Sequence, residues 1–308
     1  MSIAANTPAR AGSPHRARRW GTTAEPFLYV APGLAIVALV MLVPLAVGVS
    51  FSFQNYVIFR PASRGWSGLE NYAELWTDRT FWLALRNTAK WTFWSVLFQL
   101  SLGLGLALML NRPFWGRPVF QSLVFLPWAV PTFLSGLNWQ WLYNPLISPL
   151  PSWLAAVGIL DEPRNILSDP DLALWGPITA MIWWGVPFFA ITLLAALRSI
   201  PDDLYEAAAI DGATGWQAFR HITVPFLLPM ITITILLRTV WVANSPELIF
   251  VMTEGGPANS SQTLPNYVFT SAYSSMNFGY ASALATVLMV MLVIYSVLLL
   301  WVRGRLGQ

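Results

Sequence analysis

Six long apolar runs constrain the fold of this chain more than any other feature of its 308 residues. A helix needs roughly 20 mainly apolar residues to cross the hydrocarbon core of a bilayer. Only 10% of the residues are charged, against about 25% in soluble domains. We therefore predict an all-α membrane protein with six transmembrane helices, which cover residues 27–50, 83–110, 119–142, 172–197, 226–252 and 280–302.

The arginines predict how the spans are oriented, because basic residues near span ends mark the cytoplasmic side. The termini and loops on one side carry ten of them: Arg10, Arg16, Arg18, Arg19, Arg112, Arg117, Arg198, Arg220, Arg303 and Arg305. The first two loops on the other side carry four arginines together with seven acidic residues. We predict that both termini are cytoplasmic, with a tail over residues 1–24 and a transmembrane domain over residues 25–308.

Several kinds of chemistry are excluded by what the chain lacks. It has no cysteine, which excludes thiol nucleophiles and cysteine metal sites. Its two histidines, His15 and His221, lie far apart in sequence, so we predict no metal site. A phosphate-binding P-loop needs Gly-Lys-Ser or Gly-Lys-Thr after a glycine-rich turn, and the only lysine, Lys90, follows an alanine. We expect neither ATP bound by such a loop nor a nucleic-acid partner.

The loop between the fourth and fifth spans, residues 198–225, combines acidic, small and turn-forming residues between two apolar runs. Ser199 and Asp202 have the spacing of a helix capping box, and we predict a short helix over residues 204–209. The small side chains on this helix would let another protein approach closely.

The second half of the loop predicts a turn and another helix. Asp211 and Gly212 form a turn-favouring pair, and a second short helix is predicted over residues 214–222. Pro225 disfavours helix at the residue before it, so we place the start of the fifth span there. The loop is then a helix–turn–helix parallel to the membrane, and the alternative is an ordinary amphipathic interfacial helix.

This loop resembles a signature of the membrane subunits of bacterial ABC importers, E-A-A, then G, then I-x-L-P. The matching residues are Glu206, Ala207, Ala208, Gly212, Ile222 and Pro225. The longer run EAAAIDGATGWQAFRHITVP is similar to the carbohydrate-uptake branch, which includes the maltose and glycerol-phosphate permeases. Residues 68–72, 144–145, 167–170 and 253–257 also resemble stretches of that family.

The resemblance implies a type I ABC importer permease fold in which residues 198–225 carry a cytoplasmic coupling helix. It implies a role in ATPase coupling for these residues: Glu206, Ala207, Ala208, Asp211, Gly212 and Pro225. The implied partners are a second permease subunit, two ATPase subunits that bind ATP and Mg, a periplasmic or extracellular solute-binding protein, and membrane lipid. The chain would be a transport subunit of the bacterial inner membrane, not an enzyme, and its implied cargo is a sugar or a sugar derivative.

Two charged residues, Arg238 and Glu247, fall inside the fifth span, where charges are costly and usually functional. Asn244 and Ser245, followed by a proline, predict a break in the helix, and broken helices near the midplane often line transport sites. Trp241 and Ser245 share a helix face with Arg238. Either Arg238 packs structurally against a neighbouring helix or it meets a polar or anionic solute. Glu247 is a candidate for hydrogen bonds to solute hydroxyls.

The tryptophans offer a second set of candidates, because sugars stack on flat aromatic faces. Trp183 and Trp184 lie too deep in the fourth span for an interfacial belt, so they either line the solute pathway or pack against a neighbouring helix. Trp139, Trp141 and Tyr143, at the end of the third span, are typical of an interfacial belt.

Other functions remain as alternatives to an ABC permease. An ion-coupled secondary transporter would need an intramembrane carboxylate, and Glu247 is the candidate. An intramembrane enzyme would need a catalytic constellation, but no histidine lies in a predicted span and no G-x-S-x-G sequence occurs. We therefore predict no catalytic residues.

Overall fold

The computed structural model describes residues 25–306, with side chains described from residue 29 to residue 305. The predicted tail over residues 1–24 lies outside this range. The chain divides into two compact units between Gly48 and Val49. The described part of the first unit comprises α1 (Glu25–Val37), a π-helical turn at Ala38–Leu42 and most of α2 (Val43–Phe51), whose last three residues belong to the second unit. Together they form the first apolar span, and its apolar side chains from Tyr29 to Val47 are largely exposed.

The second unit is built almost entirely from helices. Its helices are α3 (Glu70–Thr77), α4 (Arg79–Asn111), α5 (Arg117–Ala129), α6 (Thr132–Leu142), α7 (Leu150–Ala156), α8 (Trp175–Leu197), α9 (Asp202–Ile210), α10 (Gly215–Ala218), α11 (Val224–Ala243), α12 (Glu247–Thr253), α13 (Leu264–Tyr273) and α14 (Phe278–Leu306). Short 3₁₀ turns lie at Pro61–Ser63 and Ile166–Ser168. In the described part of the chain, the only sheet is an antiparallel pair of two-residue strands, β1 (Gln54–Asn55) and β2 (Gly65–Trp66). The all-α prediction is therefore confirmed.

Five continuous helical segments within residues 25–306 are long and apolar enough to cross a membrane. One further span, the third in chain order, is a bent pair of helices. The predicted third span is broken between α5 and α6, whose axes differ in direction by 93°. The cause is local, because Pro131 favours an extended conformation at the preceding residue. Val130 has that conformation, with ψ 127°. The count of six is confirmed when this pair is taken as one span.

The fifth span is broken where the sequence predicted, between Ala243 and Glu247.

The prediction that Pro225 marks the beginning of this span is wrong. Helix begins at Gly215 and runs without interruption to Ala243, and Val224 is helical. Pro225 has no N–H to donate to the preceding turn, and the wider π-helical turn at Phe219–Thr223 lies directly before it. Such π-turns absorb local disruptions of the helical hydrogen-bond ladder.

The core of the second unit lies where α4, α8 and α11 pack together. Its fully buried apolar side chains include Trp91, Ile178, Phe189, Leu193 and Leu227. Gly103 on α4 lets α8 approach closely, since a Cβ at this position would collide with Phe189 and lie 3.1 Å from the backbone nitrogen of Ala190.

A second apolar cluster joins α3, α4, α13 and α14, and Asp78 lies beside it. The Asp78 carboxylate accepts hydrogen bonds from the Thr80 N–H (2.8 Å), the Tyr267 hydroxyl (2.8 Å) and the Tyr280 hydroxyl (2.6 Å). Burial raises the pKa of Asp78, but these hydrogen bonds outweigh burial and lower its pKa below the ordinary 3.8. Burial and the hydrogen bond to Asp78 raise the pKa of Tyr267 to about 12.

Candidate functional site

The loop between the fourth and fifth spans contains α9 and α10. The sequence predicted that Ser199 caps α9, and this prediction is wrong. The helix begins only after Pro201, which has an extended conformation. The Ser199 hydroxyl instead donates to the Ala196 carbonyl (2.8 Å). A capping box exists at the start of α10, where Thr214 and Gln217 hydrogen-bond each other's backbone N–H groups. The second predicted helix is therefore the first turn of the fifth span.

The turn at Asp211 and Gly212 lies where the sequence predicted it. Gly212 has φ +77°, a left-handed conformation that glycine adopts without steric cost. The N–H of Gly212 donates to the Ala209 carbonyl (3.1 Å), and the N–H of Ala213 donates to the Ala208 carbonyl (2.9 Å). These bonds satisfy carbonyls at the end of α9.

The exposed side of α9 carries Glu206 together with Asp202 and Ile210, which recur every four residues and so share one face. Ala207 is also exposed, and Ala208 is half-buried. Beside this face, the Tyr205 hydroxyl lies 2.9 Å from Thr223 Oγ1, which ties α9 to the first turns of the fifth span.

Two apolar side chains in this loop were missed by the sequence prediction. Ile210 is 87% exposed and Trp216 is 68% exposed, and Trp216 stacks on Phe219 with ring centroids 5.5 Å apart. Their signal in the sequence is the presence of large apolar residues beside charged and small ones. A cleft of about 350 Å³ lies beside them, lined by Ala208, Asp211, Gly212, Ala213, Gln217, Ala218, His221 and Ile222. Pro225 is exposed in α11 and does not line this cleft.

The breaks of the third and fifth spans lie side by side. The hydroxyl of Thr132, the first residue of α6, donates a hydrogen bond to the carboxylate of Glu247, the first residue of α12. The helices α6 and α12 pack closely, since a Cβ at Gly136 would lie 3.1 Å from the side chain of Val251. Thr132 was not predicted as a site residue, because no local pattern relates it to a position 115 residues away.

A tryptophan N–H satisfies a backbone carbonyl at each break. Trp184 Nε1 donates to the Val130 carbonyl (2.8 Å), and Trp91 Nε1 donates to the Val242 carbonyl (2.8 Å). In a bilayer there is no water to satisfy such carbonyls. The Val242 carbonyl also accepts from the Ser245 N–H (3.3 Å), whereas within the described residues the Val130 carbonyl is hydrogen-bonded by the Trp184 indole.

The predicted pathway residues in the fifth span differ in exposure. Trp241 is 47% exposed, Asn244 and Glu247 are also exposed, and Ser245 is half-buried. Arg238 is only 1% exposed, so the structure does not place it on one open surface with Trp241.

Arg238 lies between α4, α8 and α11. Its Nε donates to Gln99 Oε1 (3.0 Å), and its Nη2 lies 3.8 Å from Met181 Sδ. Its guanidinium carbon is 5.3 Å from the ring centroid of Trp184 and 5.6 Å from that of Phe188. Across residues 29–305 the single ion pair joins Arg164 and Asp169, so this part of the chain supplies no carboxylate to Arg238.

The two adjacent tryptophans of α8 have different surroundings. Trp184 is half-buried between Arg238 and the third-span break, whereas Trp183 is 40% exposed and packs edge-on against Trp139 at 6.1 Å. The sequence could not separate the two, because adjacent helical residues differ by 100° in direction. A role for either in solute binding stays a prediction.

Comparison with known proteins identifies the family. Residues 99–308 match the family described as "Binding-protein-dependent transport system inner membrane component". The trehalose/maltose transport system permease protein of Thermococcus litoralis is 33% identical over 279 residues, which cover 91% of this chain and 93% of that protein. The sulfoquinovosyl glycerol transport system permease protein of Agrobacterium fabrum is 33% identical over 261 residues, 85% of this chain and 84% of that protein.

A solved structure confirms the fold. A chain from a bacterial ABC transporter involved in import of the acidic polysaccharide alginate superposes with a TM-score of 0.78 at 22% identity, over 92% of this chain and 96% of that chain. The family match covers most of the membrane domain, including α9, both broken spans and Arg238. This chain therefore belongs to the inner membrane components of binding-protein-dependent transport systems, the permease subunits of ABC importers.

Proposed function

We propose that this chain forms half of the solute pathway of an ATP-driven importer for a sugar or a sugar derivative. Both relatives described above are named as permeases for carbohydrates, which supports this class of cargo. The open side of the fifth-span break offers suitable chemistry. The ring of Trp241 can stack on a sugar face, and Asn244 and Glu247 can hydrogen-bond hydroxyls.

The observation that carries the coupling role is that α9 has both an exposed face and a contact with the fifth span. The exposed face bears Glu206 and Ile210, while the neighbouring Tyr205 contacts Thr223 near the start of the fifth span. A subunit that moves the exposed face therefore also moves α11. We assign docking of a partner ATPase to Glu206, Ala207 and the turn at Gly212.

The remaining components follow from this assignment. Two ATPase subunits bind ATP and Mg and dock on the side of the membrane that carries α9. A second permease subunit closes the pathway, and a solute-binding protein docks on the opposite side. Both termini lie in the cytoplasm, because the arginine-rich loops and termini belong to the same side as α9.

The test begins with affinity purification of the chain from its native membranes and mass spectrometry of the proteins that accompany it. We expect an ATPase and a second permease. Glu206→Arg should release the ATPase and keep the second permease, because a reversed charge at a docking surface is repelled. Glu162→Arg is the matched control, since it reverses an exposed charge in the loop between α7 and α8.

Two outcomes would contradict the proposal. The first is a chain that purifies without an ATPase. The second is sugar uptake into proteoliposomes that is driven by an ion gradient without ATP and is lost in Glu247→Gln, which is the result expected of a secondary transporter.

A further inference from the structure

The break in the third span leaves backbone carbonyls without helical partners. The Pro127 carbonyl in the last turn of α5 accepts from the Val130 N–H (3.3 Å), because Pro131, one turn ahead, has no N–H to donate. The carbonyl of Val130, the extended residue between α5 and Pro131, accepts a hydrogen bond from the indole of Trp184. Two residues later Thr132 begins α6 and contacts Glu247. The position of Thr132 therefore depends on how firmly Trp184 is held.

Arg238 packs against one face of the Trp184 ring. The guanidinium lies over the ring, an arrangement that is favourable when the cation is desolvated. Arg238 is itself fixed by Gln99, whose Nε2 donates to the Met181 carbonyl (2.8 Å) while its Oε1 accepts from Arg238. These contacts join α4, α8 and α11 through polar groups that are all buried.

Arg238 and Gln99 pack tightly against α8 at Gly185. Gly185 follows Trp184 directly, and a Cβ at this glycine would collide with Arg238 Nη2 and with the carboxamide of Gln99. A buried cation without a counterion is costly. Its cost is offset here by one amide oxygen and two aromatic faces, all in fixed positions.

We infer that Arg238 is a positioning residue for the solute pathway: it fixes Trp184, which holds the third-span break at Val130, which in turn places Thr132 against Glu247. In this role Arg238 does not touch the solute. The contacts run from the buried face of α11 to α8, then to the third-span break and finally to α12. The two breaks therefore keep the same position relative to each other while the surrounding helices move. This inference rests on the proposed function, because the pathway is that of the proposed importer.

The test uses Trp184→Phe, which keeps an aromatic ring and removes the N–H, and Arg238→Gln with the milder Arg238→Lys. Trp175→Phe is the matched control, because it makes the same change on the same helix at an indole that donates no hydrogen bond within the described residues. Assembly of the complete complex is checked by gel filtration for every variant.

The first measurement is the geometry of the breaks. The chain has no cysteine, so the pair Thr132→Cys and Glu247→Cys adds its only two thiols. We expect their oxidative cross-linking, followed by mass spectrometry of the linked peptides, to slow at least about fivefold in Trp184→Phe and Arg238→Gln. Arg238→Lys should be intermediate, and Trp175→Phe should match the parent pair.

The second measurement is uptake by the complete complex, with the native Thr132 and Glu247 restored. Trp184→Phe and Arg238→Gln should lower the maximal rate by about tenfold, since small displacements of groups that contact substrate have effects of this size. The apparent KM for the solute should change much less.

The inference is overturned if cross-linking is unchanged in Trp184→Phe and Arg238→Gln. A rise in the solute KM in Arg238→Gln alone, with unchanged cross-linking, would instead assign Arg238 to solute contact. Cross-linking requires neither ATP nor cargo. A wild-type complex without ATP-dependent uptake would therefore refute the proposed function and leave the positioning of Thr132 to be decided by cross-linking alone.

Discussion

Thr132 donates a hydrogen bond to Glu247, and this contact joins the first residues of two helices that each follow a break in a membrane span. One break is caused by Pro131, and the other is formed by Asn244, Ser245 and Pro246. Among residues 29–305 no basic side chain pairs with Glu247, and the Thr132 hydroxyl supplies a hydrogen bond to its carboxylate. Glu247 as a whole is exposed.

Removal of the Thr132 hydroxyl should therefore impair transport. We expect Thr132→Val to slow uptake several-fold, because a hydrogen bond to a charged group contributes about 1.5–3 kcal/mol. Thr132→Ser keeps the donor and should retain most of the activity. Initial uptake rates in proteoliposomes at saturating solute test this prediction, and a wild-type rate in Thr132→Val would show that the contact is dispensable.

The exposed apolar side chains in the loop between the fourth and fifth spans should anchor the ATPase. Truncation of either Ile210 or Trp216 to alanine should weaken ATPase binding by about 2 kcal/mol, a value typical of central aromatic and aliphatic anchors. Trp115→Ala is the control, because Trp115 is 97% exposed in the loop between α4 and α5. The ATPase retained after stringent washing of the immobilised complex measures the effect, and an equal loss in Trp115→Ala would contradict it.

The glycines of α4 provide a matched pair for the packing of α4 against α8. Gly103→Ala should destabilise the protein by about 1–3 kcal/mol, because the new methyl group meets Phe189 and the backbone of Ala190. Gly105→Ala, two residues away, has open space around it, so it should be neutral or stabilise the helix by up to about 1 kcal/mol. Thermal unfolding of the purified complex separates the two, and similar shifts in both variants would argue against a close helix contact.

The carboxylate of Asp78 should make the stability of the protein depend on acid pH. Its pKa is lower in the folded protein than the ordinary 3.8. Its ionised form therefore stabilises the fold fully above about pH 4, and this contribution is lost as pH falls through the folded-state pKa. We expect Asp78→Asn to lower the thermal midpoint at pH 7 and to remove part of the further loss between pH 4 and pH 3. A parallel acid response in both proteins would contradict this expectation.

Local sequence was sufficient for the parts of the fold that depend on neighbouring residues. The six apolar spans, the break after Asn244 and the turn at Gly212 each follow from hydrophobicity or from backbone preferences within a few positions. Pro131 carried an equally local signal for the third-span break, but the apolar run around it suggested one continuous helix. Pro225 misled in the opposite direction, because a π-turn before it lets the helix continue.

The tertiary structure decided which of these elements pack together and which side chains they bury. Gln99 and Arg238 are 139 positions apart, and Trp184 and Val130 are 54 apart, so no periodicity in the sequence relates them. Arg238 has the same intramembrane sequence context whether it faces a solute or a neighbouring helix. Only the packing of α4 and α8 around it shows that it is buried, because burial depends on which helices meet and not on the residues beside it in the chain.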